Sequence, residues 1–212
     1  MEGITKKKLA AYGAGLLVMA FGIVLIKKTD LGVSPISSIP SAAANLTPLT
    51  FGRAQTLFQL FCVLLQGLLL RRVTVPLLLQ LPLSAAFGWL IDGYMALVPP
   101  VPESMLLRGG VCLTGIGCTA LGIVLIVGVD MVLPAPDALL RLVSQCSGQP
   151  LGRVKLLGDL LWTVCSVLVE WAALGRVLSV GLGTAASALL TGNLVSLLRR
   201  VLPSAGEREP HA

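Results

Sequence analysis

Six stretches of the chain are almost unbroken runs of apolar residues, near Leu9 to Ile26, Phe51 to Leu70, Val75 to Val98, Met105 to Val127, Leu151 to Leu174 and Leu178 to Leu198. Each approaches the roughly 20 residues that an α-helix needs to cross the hydrocarbon core of a bilayer. Charged residues collect at the ends of the runs, so the pattern predicts six transmembrane helices. The first run follows Lys6, Lys7 and Lys8 as a secretory signal would, but it is long and ends in Lys27 and Lys28 without a small-x-small cleavage site. It reads as a retained helix.

Two connections are longer than a turn, Lys27 to Thr50 and Gly128 to Pro150, and both are rich in Pro, Ser, Ala and Gly yet barely charged. Within them, Ser34 to Leu46 and Pro134 to Cys146 read as short helices led by a proline, whose missing N–H is harmless in a first turn. Such a helix either lies along the interface or enters the membrane as a re-entrant half-helix, which protein or a polar cavity must then cover.

Composition agrees with a membrane domain. Of 212 residues, 55% are apolar and 12% charged, with a mean hydropathy of +0.89, whereas a soluble domain carries about 25% charged residues. The net charge of +6 is a topology signal and not a nucleic-acid footprint, because the basic residues flank apolar runs. An N-terminus inside places Lys6, Lys7, Lys8, Arg71, Arg72, Arg141, Arg153, Lys155, Arg199, Arg200 and Arg208 on the cytoplasmic side. Only Lys27, Lys28, Arg53, Arg108 and Arg176 fall outside, so both termini are expected in the cytoplasm. Cys62, Cys112, Cys118, Cys146 and Cys165 form no C-x-x-C pair, and the single His211 sits in the polar tail. That set offers little to a metal site or to hydrolytic chemistry, so neither an enzyme nor a cofactor is expected.

Shifting the chain by 100 positions aligns Gly22-Ile23-Val24-Leu25-Ile26 with Gly122-Ile123-Val124-Leu125-Ile126, Asp30 with Asp130, and Gly52-Arg53 with Gly152-Arg153. Matches among Leu and Ala also occur, but apolar sequence produces these by chance. Each copy holds three spans, an odd number, so the second copy enters the membrane with the opposite orientation. This is the inverted-repeat plan of many secondary transporters, whose substrate site lies between the halves. The expected organisation is one membrane domain, 1–212, with repeats at 9–98 and 105–198 and a polar cytoplasmic tail at 199–212. Small-residue stripes at Ser84, Gly88 and Asp92, at their partners Thr184, Ala188 and Gly192, and at Gly110, Thr114, Cys118 and Gly122 read as helix-packing faces.

Polar residues inside the runs are the candidate site. Asp92 lies within the third span, where an unpaired charge costs about 2.5–3.5 kcal/mol, so it should face the interior. Lys155 and Asp159 are one helical turn apart and can pair, while their repeat equivalents are Gln55 and Gln59. Arg53 and Arg153 begin the second and fifth spans; they either snorkel to headgroups or, with helix N-termini near Ser34 and Pro134, favour an anion. Asp137 lies in the second proline-led segment. Glu170 and Trp171 read as interfacial anchors, and Trp89 and Trp162 add no further signal.

The stretch Lys28-Thr29-Asp30-Leu31-Gly32-Val33-Ser34-Pro35, after the helix ending Gly22 to Ile26, resembles the A-D-L-G-x-S-P-W-D stretch of the YczE/YyaS/YitT-type bacterial membrane proteins. Phe51-Gly52-Arg53, Pro136-Asp137-Ala138-Leu139 and Gly183-Thr184 look like the same pattern. Ile36-Ser37 replaces the family's Trp-Asp, which removes a carboxylate from the first half. The resemblance implies a bacterial, polytopic inner-membrane protein, with transport as the suspected role.

The sequence therefore leads to an all-α, six-span protein of two inverted three-helix repeats. The expected function is secondary transport of a small polar or amphiphilic metabolite by alternating access. Asp92, Asp159, Lys155, Arg53, Arg153, Gln59, Ser34 and Asp137 are the expected site residues. A lipid bilayer and a small-molecule substrate are the expected partners, a homodimer is an option, and nucleic acid is not expected. No G-x-x-x-x-G-K-[ST] motif is present, so energy would come from a gradient or a partner ATPase. The rival readings are the substrate-binding membrane subunit of an ATP-driven vitamin importer and a sensor or scaffold that carries nothing.

Overall fold

A computed structural model describes residues 6–129 and 131–201, and among these every regular element is helical. The helices are α1 (Lys6–Lys28), α2 (Ser38–Leu46, after a 3-10 turn at Pro35–Ser37), α3 (Phe51–Leu70), α4 (Val75–Leu97), α5 (Met105–Gly128), α6 (Ala135–Ser147), α7 (Leu151–Leu174) and α8 (Leu182–Val201). Five of them, α1, α3, α4, α5 and α7, are long and apolar enough to cross a membrane. At 20 residues α8 has the length, but its hydroxyls, Asn193 and the terminal Arg199 and Arg200 dilute its apolar character. Arg199 and Arg200 form the last turn of α8, and the rest of the expected polar tail lies outside the described residues. Asp130, Arg208 and His211 lie outside the described residues.

Local chemistry fixes the helix ends. The Thr50 side chain accepts from the Arg53 N–H at 3.3 Å and caps α3, prolines stand in the first turns of α4 and α6, and Gly148 and Gly175 close α6 and α7 with φ of 67° and 65°. Those left-handed caps suit glycine, which has no Cβ to clash.

The centre of the bundle is the crossing of α1 with α5, the most extensive helix pair among the described residues. A methyl group on Gly22 would lie 2.6 Å from the Gly115 carbonyl oxygen, and one on Gly122 would lie 2.8 Å from the Gly15 carbonyl oxygen. Gly15 thus meets Gly122 while Gly22 meets Gly115, so the helices run antiparallel at backbone contact. In lipid no hydrophobic force drives such a pair together; van der Waals packing of small residues does. The expected stripe of Gly110, Thr114, Cys118 and Gly122 is corrected accordingly. Gly110 and Thr114 are exposed, and the packed face carries Gly115, Thr119 and Gly122.

Around this pair, α1 packs on α4 and α5 packs on α8, while α2 and α6 each wedge between α3 and α7. The α3–α4 seam uses the other expected stripe: the Gly52 and Gly88 backbones touch, Thr56 Oγ1 approaches the Ser84 carbonyl at 3.2 Å, and Asp92 reaches the start of α3. The matching face of α8 is not packed this way. Thr184 is buried, but Ala188 and Gly192 are exposed, and a methyl on Gly152 or Gly192 would meet open space. The cause is the segment before α8, which docks on the end of α1: Val33 N–H donates to the Ser179 carbonyl at 2.9 Å and Gly183 N–H to the Leu31 carbonyl at 2.7 Å. Gly32 permits that docking, because at φ +98° any Cβ would strike the Gly181 nitrogen.

Replacing Gly22 with leucine should lower the thermal unfolding midpoint of the purified protein by the equivalent of about 3 kcal/mol or more, because backbone faces backbone there and cannot give way. Gly117→Leu, which has open space around it, should leave the midpoint nearly unchanged.

Candidate functional site

Two polar features lie at opposite ends of the bundle. At the end where α1 finishes and α3 starts, α2, α7 and the segment before α8 converge on Glu170, which is fully buried. Its Oε1 accepts from Asn45 Nδ2 and from the Ser179 hydroxyl, both at 2.7 Å, and its Oε2 accepts from the Leu178 and Ser179 N–H groups at 2.8 and 2.9 Å. Lys27 Nζ donates to Ser41 Oγ at 2.8 Å and to Asn45 Oδ1 at 3.4 Å, and it stands 5.7 Å from the centre of the Phe51 ring. The Ser41 and Ser179 hydroxyls are 2.8 Å apart. Having one proton, Ser179 donates it to the carboxylate and accepts from Ser41. A cation on α1 and an anion on α7 are thus joined through amide and hydroxyl groups of α2. Here Glu170 is corrected from its expected place as an interfacial anchor: all its neighbours are donors, and none of its side chain is exposed.

At the other end, a cavity of about 280 Å³ opens between α3, α4, α5 and α6. Its polar lining is Gln66, Thr74, Gln80, Arg141 and Gln145, and the remaining wall is largely Leu70, Leu77, Ile126, Val127, Leu133 and Leu142. Gln66 and Gln80 are buried and exchange amide hydrogen bonds at 2.9 and 3.3 Å, and Gln66 Nε2 also donates to the Ala135 carbonyl at 3.1 Å. Gln80 is shared with a smaller hollow deeper in the bundle, lined also by Tyr12, Gln59, Ser84 and Phe87. Along α3, Gln55, Gln59 and Gln66 therefore face inward on one side, and all three are buried. Gln55 Oε1 has no hydrogen-bond partner among the described residues.

The expected site residues divide into separate groups. Asp137, Lys155 and Asp159 are brought together: Lys155 Nζ is 3.2 Å from Asp137 and 3.6 Å from Asp159. This triad ties the first turn of α6 to α7, and none of its members lines the cavity. Asp92 lies away from it, accepting from the Thr50 hydroxyl at 2.6 Å and the Gly52 N–H at 2.8 Å. A carboxylate at a helix N-terminus satisfies orphan donors and suits the local dipole, so Asp92 fastens α4 to α3. Arg53 and Arg153 are exposed, and Arg153 reaches Gln149 on its own side of α7 at 2.8 Å. Ser34 bonds to Ser37 at 3.2 Å. Gln59 alone of the expected residues faces a hollow.

A family model covers this architecture, matching residues 6–200. The chain belongs to DUF6198, a family of unknown function. No curated protein and no solved structure matches it. In this DUF6198 chain the Lys27–Glu170 network and the Gln66, Gln80, Arg141 and Gln145 cavity escape sequence reasoning, because their members are far apart along the chain. The available signal was polarity within apolar runs: Gln66, Gln80 and Glu170 each interrupt one, and Asn45 stands in the first proline-led segment.

Glu170→Ala should destabilise the protein by several kcal/mol, since it leaves four donors unsatisfied in a buried site at about 1–3 kcal/mol each when unrelieved. Glu170→Gln should destabilise it less. Thermal melts of the two variants in the same detergent check this ordering.

Proposed function

We propose that this chain is a secondary transporter of a small polar or amphiphilic metabolite in a bacterial inner membrane. It works by alternating access between two inverted three-span halves, α1 with α3 and α4, and α5 with α7 and α8. In this reading α8 is the sixth span; twenty residues at about 1.5 Å each extend roughly 30 Å, enough to cross. The distribution of basic residues supports both termini in the cytoplasm; the cavity then faces inward and the Lys27–Glu170 network seals the outer side.

One observation carries the reading. Adding or subtracting 100 converts Lys27, Ser41, Asn45 and Glu170 of the sealed end into Val127, Arg141, Gln145 and Leu70, and all four of these line the open cavity. Positions that correspond under the repeat are thus closed on one side and open on the other, as an alternating-access carrier at rest facing the cytoplasm requires. The packing partners support the exchange: α1 on α4 answers α5 on α8, and α2 on α7 answers α6 on α3. The Asp137–Lys155–Asp159 triad then makes α6 and α7 a single moving body, and Asp92 does the same for α3 and α4. The inner end has Val127 and Leu70 where the outer end has a lysine and a glutamate. The outer end is therefore held by charge and the inner end is not, which explains a resting state open inward.

Accessibility to a membrane-impermeant maleimide tests this, with the exposed Cys146 replaced by serine. Gln145→Cys should react from the cytoplasmic side while Ala44→Cys, next to the network on α2 but not part of it, is protected from the outside. Adding Glu170→Ala should reverse both rates by about tenfold or more, the population shift that about 1.4 kcal/mol produces. Simultaneous reactivity at both positions, or no change at Gln145→Cys, would refute alternating access.

A further inference from the structure

We infer that the inward cavity binds a small organic anion, with Arg141 holding the negative group; this rests on the transport reading above and names its substrate class. Among the residues that line the cavity and the deeper hollow, Arg141 is the sole charged side chain, and neither contains a carboxylate. The described carboxylates near the interior are already used: Glu170 by its donors, Asp92 by the start of α3, and Asp137 and Asp159 by Lys155. Arg141 has neither an ion pair nor a side-chain hydrogen bond among the described residues. Its neighbour at the fourth position before it, Asp137, is drawn to α7 by Lys155, which leaves the exposed guanidinium without a protein counter-charge at the cavity wall. Arg71 and Arg72 follow directly after Leu70 of the wall, so the mouth is positive and steers anions inward.

The rest of the lining fixes what else the anion carries. The Leu70, Leu77, Ile126, Val127 and Leu142 side chains accept an apolar body. Gln145 supplies both a donor and an acceptor, and Gln59, 5% exposed, turns an amide with no protein partner among the described residues into the hollow beyond Gln80. A free guanidinium beside an apolar wall, with the Gln145 amide one turn along α6, suits an anion with an apolar core and a second polar end. At about 280 Å³ the space lies near the lower limit of small-molecule sites, about 300–1,000 Å³, and excludes large conjugates. Carboxylates and phosphate esters share the chemistry that a planar guanidinium recognises in a two-pronged manner.

Binding to the purified full chain, read by thermal shift and calorimetry, compares benzoate, benzamide and benzylamine, which differ in charge but hardly in shape. A short-chain phosphatidylglycerol forms a fourth arm. Benzoate should bind best, and Arg141→Gln should weaken it about tenfold or more, as loss of a charge-assisted hydrogen bond of about 1.5–3 kcal/mol implies. Arg141→Lys should retain part of the preference, and the unliganded melting midpoint of both variants should match the parent. A stronger, Arg141-dependent response to phosphatidylglycerol than to benzoate would support the anion site with lipid as its source. Equal binding of the three benzene derivatives, or a benzoate preference that persists in Arg141→Gln, would overturn the inference while leaving the maleimide exchange intact. Failure of that exchange with benzoate still bound would remove transport and keep the site.

Discussion

The backbone contact between α1 and α5 is the constraint on which the rest of the molecule is hung. Gly15 on Gly122 and Gly22 on Gly115 bring two apolar helices closer than any side chain would allow, and they do so in opposite directions. In lipid this closeness is itself the source of affinity, because apolar helices gain nothing from leaving a hydrocarbon solvent. The same four positions correspond in pairs under the 100-residue shift. A contact in which each glycine meets the counterpart of the other is what a twofold axis in the membrane plane would generate. Once it is set, α4 and α8 take equivalent places beside α1 and α5, and the short helices α2 and α6 point inward from opposite ends between α3 and α7.

In the proposed transporter, departures from the 100-residue correspondence carry the functional content. At positions 100 apart, one end carries Lys27, Ser41, Asn45 and Glu170 and the other carries Val127, Arg141, Gln145 and Leu70. The first set closes on itself through hydrogen bonds that satisfy a fully buried carboxylate; the second has nothing to close with and leaves a cavity. A buried charge network adds little net stability, yet it is costly to break in part, and this makes it suited to hold one of two arrangements. The unpacked face between α7 and α8 is a second departure, produced by the docking of residues 179–183 on the end of α1.

Much of the architecture was legible because bilayers impose simple lengths. Phe51–Leu70 and Leu151–Leu174 were read to the residue, since threonine, proline, arginine and glycine punctuate the apolar runs. The proline-led helices followed from one-turn chemistry. The helix faces were harder: a period of four suggested Gly110, Thr114, Cys118 and Gly122, whereas the antiparallel crossing selects glycines seven apart, at 115 and 122, that repeat along a slowly turning seam. The Lys155–Asp159 pair was local and therefore visible. The Glu170 network was not, because its partners Asn45 and Lys27 stand well over a hundred positions away, and a glutamate beside Trp171 at a span end resembles an interfacial anchor. Arg141 counted only as a topology signal until the cavity beside it was formed.

Disulfide trapping in native membranes tests the antiparallel crossing most directly. Ile26 shares one buried cluster with Cys112, and Tyr12 shares another with Ile126; the two pairs exchange under the 100-residue shift. Ile26→Cys should therefore cross-link to the native Cys112, and Tyr12→Cys should cross-link to Ile126→Cys. A cross-link between Ile26→Cys and Ile126→Cys, which only parallel helices would allow, would contradict the account.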